Sequence, residues 1–174
     1  MADFKVKEEI GLSDAPAVYC GTYKKYNEGS LFGEWVTLTD FDSYDEFIEY
    51  CRRLHSDEDD PELMFQDYEN FPRELYSEIY MGEKTFDRIV GYANHHNREA
   101  LDAFIDLVGV DHMDDFDRYY IGEYGSEEDF AWSLYAEFED TLPEVARCYF
   151  DIKAYARDLF LADYDFRDGY VFYK

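Results

Sequence analysis

The chain has 174 residues and sets 42 Asp plus Glu against 16 Lys plus Arg, a formal charge of -26, yet it is 47% hydrophobic and 20% aromatic. The apolar content excludes the acidic disordered class, which lacks the aromatics to build a core, and the charge excludes direct binding to nucleic acid or to anionic lipid headgroups. Duplex DNA carries one charge per about 1.7 Å of axis, so the same number of charges spans roughly 44 Å of duplex, close to the diameter of about 40 Å expected of a compact domain of this length.

No run approaches the roughly 20 apolar residues of a membrane span. Residues 1–14 lack the apolar stretch of a signal peptide and read as an extension. Cys20, Cys51 and Cys148 are widely spaced, with no C-x-x-C, so neither a disulfide framework nor a cysteine zinc site is expected and a reducing cytoplasm fits best.

In chain order, Val18, Cys20 and Thr22 alternate with Tyr19, Gly21 and Tyr23, the period of a strand. Tyr26 to Ser30 supplies turn chemistry, and Gly33 to Leu38 reads as the partner strand. Ser43-Tyr44-Asp45-Glu46 is a capping box. The helix behind it carries Tyr44, Phe47, Ile48 and Cys51 as its buried stripe. Asp57 to Glu62 marks a loop, Leu63 to Tyr68 a third strand, and Pro72 a helix start. From Glu83 to Val108 the pattern is helical throughout, with Leu101, Phe104, Ile105 and Val108 on one stripe and Glu99, Asp102 and Asp106 on the flank beside it. Carboxylates three and four residues apart stand about 4.5 and 6 Å apart along a helix axis, comparable to the 3.4 Å phosphate step of one DNA strand.

Asp117 to Tyr124 reads as a strand, and Ser126-Glu127-Glu128-Asp129 starts a helix with Phe130, Leu134 and Phe138 inward. A short helix follows Pro143, a longer one runs from Ile152 to Leu161, and Asp168-Gly169 joins Tyr164–Phe166 to Tyr170–Tyr173 as a terminal hairpin. The expected class is α+β, an elongated chain of three small units behind the extension 1–15: an α+β unit over 16–75, a helical middle over 76–110 and an α+β unit over 111–174.

Catalytic signatures are absent: there is no G-x-S-x-G elbow, Gly-rich phosphate loop or H-E-x-x-H. His95 and Glu99 have the spacing of two ligands on one helix face, but no third is evident. Asp163 to Gly169 begins like a calcium loop, with its Gly at position seven and Lys174 at twelve, so an EF-hand is rejected. Neither a cofactor nor a metal is expected. Among 42 acids any carboxylate pair is uninformative, so a carboxylate-pair hydrolase stays a remote alternative.

The string Pro16-Ala17-Val18-Tyr19-Cys20-Gly21-Thr22-Tyr23-Lys24-Lys25-Tyr26-Asn27-Glu28-Gly29-Ser30-Leu31-Phe32-Gly33-Glu34-Trp35, with its Tyr-x-Lys-Tyr-Asn-x-Gly centre and following Gly-x-Trp, resembles the opening of the ArdA antirestriction proteins. Phe65-Gln66-Asp67-Tyr68-Glu69 and Phe150 to Leu159 agree with that family in the same order, while the helical middle matches only in character. The resemblance implies a protein of a mobile element that mimics B-form DNA in the DNA-binding groove of type I restriction-modification enzymes. It further implies a homodimer joined through the C-terminal unit. The alternative is an acidic mimic or adaptor directed at another basic protein, such as a nucleoid protein or gyrase.

Carboxylates are the expected partner-binding residues. They are Asp57, Glu58, Asp59, Asp60, Glu62, Asp67 and Glu69 in the first third, Glu99, Asp102 and Asp106 on the middle helix, and Asp111, Asp114, Asp115, Glu127, Glu128 and Asp129 beyond it. Tyr19, Tyr23, Trp35 and Phe47 are expected to hold the first sheet to its helix. Gly21, Gly29 and Gly33 are expected at turns or close backbone approaches. Arg157 beside Asp158 reads as a stabilising ion pair.

Overall fold

The computed structural model describes residues 14–174; the rest of the N-terminal extension lies outside the described residues. The fold is α+β, with eight α-helices and two three-stranded antiparallel sheets among the described residues. Contacts divide the chain into two compact units, one ending at Asn94 and the other being His95–Lys174.

The first unit is built on β1 (Ala17–Thr22), which lies between β2 (Glu34–Thr37) and β3 (Leu63–Glu69). Alternation puts Val18 and Cys20 on one face, both fully buried under α2 (Tyr44–Leu54). As the capping box predicts, Ser43 Oγ accepts from the Glu46 backbone N–H, while the Glu46 carboxylate reaches one residue further back and accepts from the Asp42 N–H in place of that of Ser43. Phe47 is the centre of this core. It is fully buried, stacked on Phe65 of β3 at 5.7 Å and on Phe86 at 5.5 Å, and meets Phe41 edge-on at 5.7 Å. Phe86 comes from α3 (Glu83–Ala93), which closes the unit. Cys20 and Cys51 meet inside it as free thiols, and the hydrogen bond between them, with burial, holds the Cys51 thiol protonated.

In the second unit, β6 (Tyr170–Tyr173) lies between β4 (Tyr120–Glu123) and β5 (Tyr164–Arg167). The β5–β6 hairpin turns on Asp168 and Gly169, both at positive φ (50° and 92°), the geometry that a two-residue Asp-Gly turn supplies. Phe172 packs on Phe104 of α4 (Arg98–Val108) at 5.4 Å, and Phe130 of α6 (Glu127–Phe138) meets Tyr164 edge-on at 4.8 Å. α6 packs along α8 (Ile152–Ala162), with the short α7 (Glu144–Cys148) between them in the chain.

Several boundaries differ from the sequence expectation, each for a local reason. The chain after β1 does not go straight into a turn: Thr22 Oγ accepts from Lys25 N at 3.3 Å and caps a short helix, α1 (Tyr23–Asn27), before Gly29 turns the chain at φ 81°. Leu38 leaves the β2 strand and begins a 3-10 turn. Pro72 opens only a 3-10 turn over Arg73–Leu75, because Tyr76 returns extended and its hydroxyl donates to the Phe65 carbonyl at 2.7 Å. The helical run from Glu83 to Val108 breaks at Asn94, and Asn97 caps a new helix by accepting from Ala100 N. Of the two helices that result, α3 belongs to the first compact unit and α4 to the second. Residues 117–119 are helical, in α5 (Phe116–Tyr119), so the strand expected from Asp117 begins only at Tyr120. In α6 the buried aromatics are Phe130 and Tyr135, while Leu134 and Phe138 are half-buried.

Truncating Phe47 leaves a cavity that three aromatic neighbours border. Phe47→Ala is expected to lower the unfolding free energy by about 3–5 kcal/mol, read as a reduced urea midpoint; an unchanged midpoint would remove this residue from the centre of the core.

Candidate partner-binding surface

All the predicted surface carboxylates except Glu58 are exposed. The loop between α2 and β3 carries Asp57, Asp59, Asp60 and Glu62, and β3 carries Asp67 and Glu69. On α4, Glu99, Asp102 and Asp106 share the outer flank; Glu99 accepts from the Tyr170 hydroxyl at 3.3 Å, and Asp106 pairs with Arg167 at 2.9 Å. Asp111, Asp114 and Asp115 lie on a 3-10 segment over Val110–Asp115, where Asp115 faces His112 at 3.7 Å.

Glu127, Glu128 and Asp129 form the first turn of α6. There the exposed N–H groups favour negative charge, and Ser126 Oγ accepts from Asp129 N. These three acids stabilise their helix as well as charging the surface. Glu128 also faces Lys153 at 3.8 Å.

Glu58 is a correction. It is buried, accepts from Thr22 Oγ at 2.7 Å and stands 3.5 Å from Lys25 Nζ. Lys25 itself is nearly covered. It donates to Asp57 at 2.7 Å and to His55 Nδ1 at 3.0 Å, and lies 4.6 Å from the Phe32 ring centroid. Because the ammonium has only protons to offer, His55 Nδ1 must accept, which leaves Nε2–H to donate to the Cys20 carbonyl at 3.3 Å. Burial lowers the His55 pKa below its ordinary 6.5, and the hydrogen bond from Lys25 lowers that of the exposed Asp57. The sequence clue to this network is Thr22. It takes an inward position in line with Val18 and Cys20, and a hydroxyl there needs a polar partner.

Of the four aromatics expected to hold the first sheet to its helix, only Phe47 is in the core. Tyr19 and Trp35 are paired across β1 and β2 on the face opposite α2. Their rings meet edge-on at 5.6 Å, and the indole is 42% exposed. Tyr23, in α1, is half-buried. The glycine expectation holds at Gly33, where a Cβ would come within 2.6 Å of the Cys20 carbonyl oxygen. Arg157 and Asp158 form the expected ion pair at 2.8 Å, on an exposed face where such pairs contribute little.

His95 stacks on His96 and meets Phe116 edge-on, with its Nδ1 accepting from Asn97 N. Among the described residues no group of three or more His, Cys, Asp or Glu could hold a metal ion, and no helix is long and apolar enough to cross a membrane.

The family model for the antirestriction protein ArdA matches residues 18–172. The chain belongs to the ArdA antirestriction family. No curated protein matches it. The matched span takes in both sheets except for Ala17 and Tyr173, together with α4, the α6 first turn and every carboxylate named above.

Two outcomes separate the buried network from the surface charges. Glu58→Ala leaves Lys25 without its buried counter-charge and is expected to cost about 3 kcal/mol of stability. Asp59→Ala and Asp60→Ala should each stay within about 0.5 kcal/mol. In a pH series, the folded chain resists protonating His55 while the unfolded chain accepts a proton near the ordinary value. The contribution of neutral His55 is therefore complete above pH 6.5 and falls as the pH drops below it. Acidification also relieves carboxylate repulsion throughout this ArdA protein, so the readout is the difference in unfolding free energy between wild type and His55→Gln. That difference should shift against the wild type below pH 6.5; a pH-independent difference would show that His55 is not held neutral.

Proposed function

We propose that this ArdA protein inhibits type I restriction-modification enzymes by acting as a mimic of B-form DNA, filling the DNA-binding groove of the modification core and excluding DNA competitively. The observation that carries the proposal is the placement of the carboxylates. A chain of formal charge -26 builds two aromatic cores and turns all but one of sixteen clustered acids to solvent, on loop, strand and helix alike. Carboxylates spread over the surface of each unit suit electrostatic recognition of a basic partner. Inhibition by exclusion needs no nucleophile, metal or cofactor: the basic groove exchanges DNA phosphates for carboxylates, and complementarity of potential sets the rate of encounter and the register. Two copies would present roughly the phosphate charge of 26 base pairs, which suits the homodimer of the proposal. The host cytoplasm, where those enzymes act, is the compartment it implies.

The test is a competition titration of the purified protein against fluorescent duplex DNA bound to a type I modification methyltransferase, at several salt concentrations. Displacement near stoichiometry that weakens as salt rises is expected. Neutralising one of Asp59, Asp60 or Glu62 should change affinity by under about 1 kcal/mol, and neutralising all three should weaken displacement in graded fashion. No displacement at low salt by folded protein would sink the proposal. Equal displacement of unrelated DNA-binding proteins would instead mark a broad acidic mimic.

A further inference from the structure

The first sheet has two faces, and α2 covers one of them. On the other, cross-strand pairing sets Trp35 of β2, Tyr19 of β1 and Asp67 of β3 in a single row, and the next row places Thr37, Ala17 and Glu69 side by side. Strands lie about 4.8 Å apart, so an indole, a phenol and a carboxylate stand within roughly 10 Å of one another, with Glu69 on the same strand beyond. Trp35, Asp67 and Glu69 are exposed. Leu31 and Phe32, in the loop before β2, are 73% and 52% exposed.

This face is held rigidly although it buries little. The Tyr19 hydroxyl donates to the Leu31 carbonyl at 2.9 Å, and Phe32 N donates to Ser30 Oγ at 3.2 Å. Tyr19 braces the indole edge-on, and Gly33 lets the loop approach the Cys20 carbonyl. Phe32 already takes an ammonium, the protein's own Lys25, against its ring. Trp35 offers a better π face, and among the described residues no contact of that kind is made to it.

We infer that the outer face of the first sheet, Trp35 with Tyr19, Asp67 and Glu69, receives an arginine side chain from a basic, DNA-binding protein surface. Charge complementarity selects the occupant. The surrounding carboxylates attract guanidinium groups and repel nucleic acid, lipid headgroups and the like-charged face of a second copy. A guanidinium lies flat on an indole while its N–H fork reaches a carboxylate, and the Trp35–Asp67 row offers both partners on one surface. The inference rests on the mimicry reading and deepens it, adding to the diffuse charge one anchor that salt does not screen away.

The experiment is the same methyltransferase competition, run at low and high salt with Trp35→Leu, Trp35→Phe, Asp67→Asn and Leu31→Ser, each checked for its circular dichroism, melting temperature and light-scattering mass. Trp35→Leu, which keeps apolar bulk without a π face, should weaken displacement about tenfold at both salt concentrations, and Trp35→Phe should recover part of the loss. Asp67→Asn combined with Trp35→Leu should lose less than the product of the two single effects, since both hold one group. If the wild type displaces DNA and none of the exposed-face variants alters displacement, the arginine site is overturned while mimicry stands. Loss in Trp35→Leu that vanishes at high salt would also overturn it, as would a change in mass, which would assign the face to self-association. A wild type that fails to displace DNA overturns both. Should Trp35→Leu unfold, Asp67→Asn and Leu31→Ser, at exposed positions, decide the matter alone.

Discussion

Like-charge repulsion is the constraint on which this structure depends. With 42 acids and 16 Lys plus Arg, carboxylates far outnumber the cations that could face them, so folding must proceed against the field that its own surface creates. The opposing contribution comes from aromatic rings, which bury a large apolar area per residue and so allow small cores. Phe47, Phe65 and Phe86 in the first unit and Phe104, Phe116 and Phe172 in the second are such clusters. A core one sheet and a few helices thick leaves nearly every polar position at the surface, which is where the acids must be to remain solvated.

Scarcity makes the placement of each cation consequential. Lys25 is spent inside, where it faces Glu58, Asp57 and His55 together. Arg167 sits at the hairpin turn and pairs with both Asp106 and Asp168. The first arrangement is structural, since the desolvated Glu58 has no solvent to return to while the fold persists. The second is exposed and exchangeable: a guanidinium from another protein can take the place of Arg167 at Asp106 at little cost. Acids therefore differ in availability even where they look alike in the sequence. Asp57 and Glu58 are neighbours in the chain, yet one is exposed and the other is buried.

The legible parts of the fold are those whose signal is local. The Ser43 capping box, the Ser126 cap with three acids behind it, and Asp168-Gly169 each contain their own cause, and α2, α6 and the β5–β6 hairpin formed as read. What escaped the sequence depends on partners remote in the chain or on a residue with two uses. Asn97 is an ordinary polar residue within a helical pattern until its side chain turns back to cap α4. Glu58 sits in an acidic run whose every other member is solvated or nearly so, and Thr22, 36 positions away, together with Lys25 draws it inward. Trp35 and Tyr19 have the composition of core residues, but a sheet with a helix on one side has room for only one of its faces in the core. Which face that is depends on where α2 lands, and alternation alone does not decide it.

The outward indole bears on a general difficulty of binding by charge. Carboxylates matched to a basic groove gain from every cation they meet, so a purely electrostatic surface attracts many basic proteins and loses its hold on all of them as salt rises. Selectivity requires contacts that are directional and little screened, and these come from a few rigid side chains at defined positions. A β-sheet supplies such positions more accurately than a loop, because pairing fixes both spacing and facing. In this chain the rigid aromatic pair and the two acids of β3 share one sheet face, whereas Asp57, Asp59 and Asp60 lie on a loop. Under the proposed mimicry the division of labour follows from mechanics: acids on a loop suit long-range attraction, where exact position matters little, and the sheet face suits close contact, where it matters most.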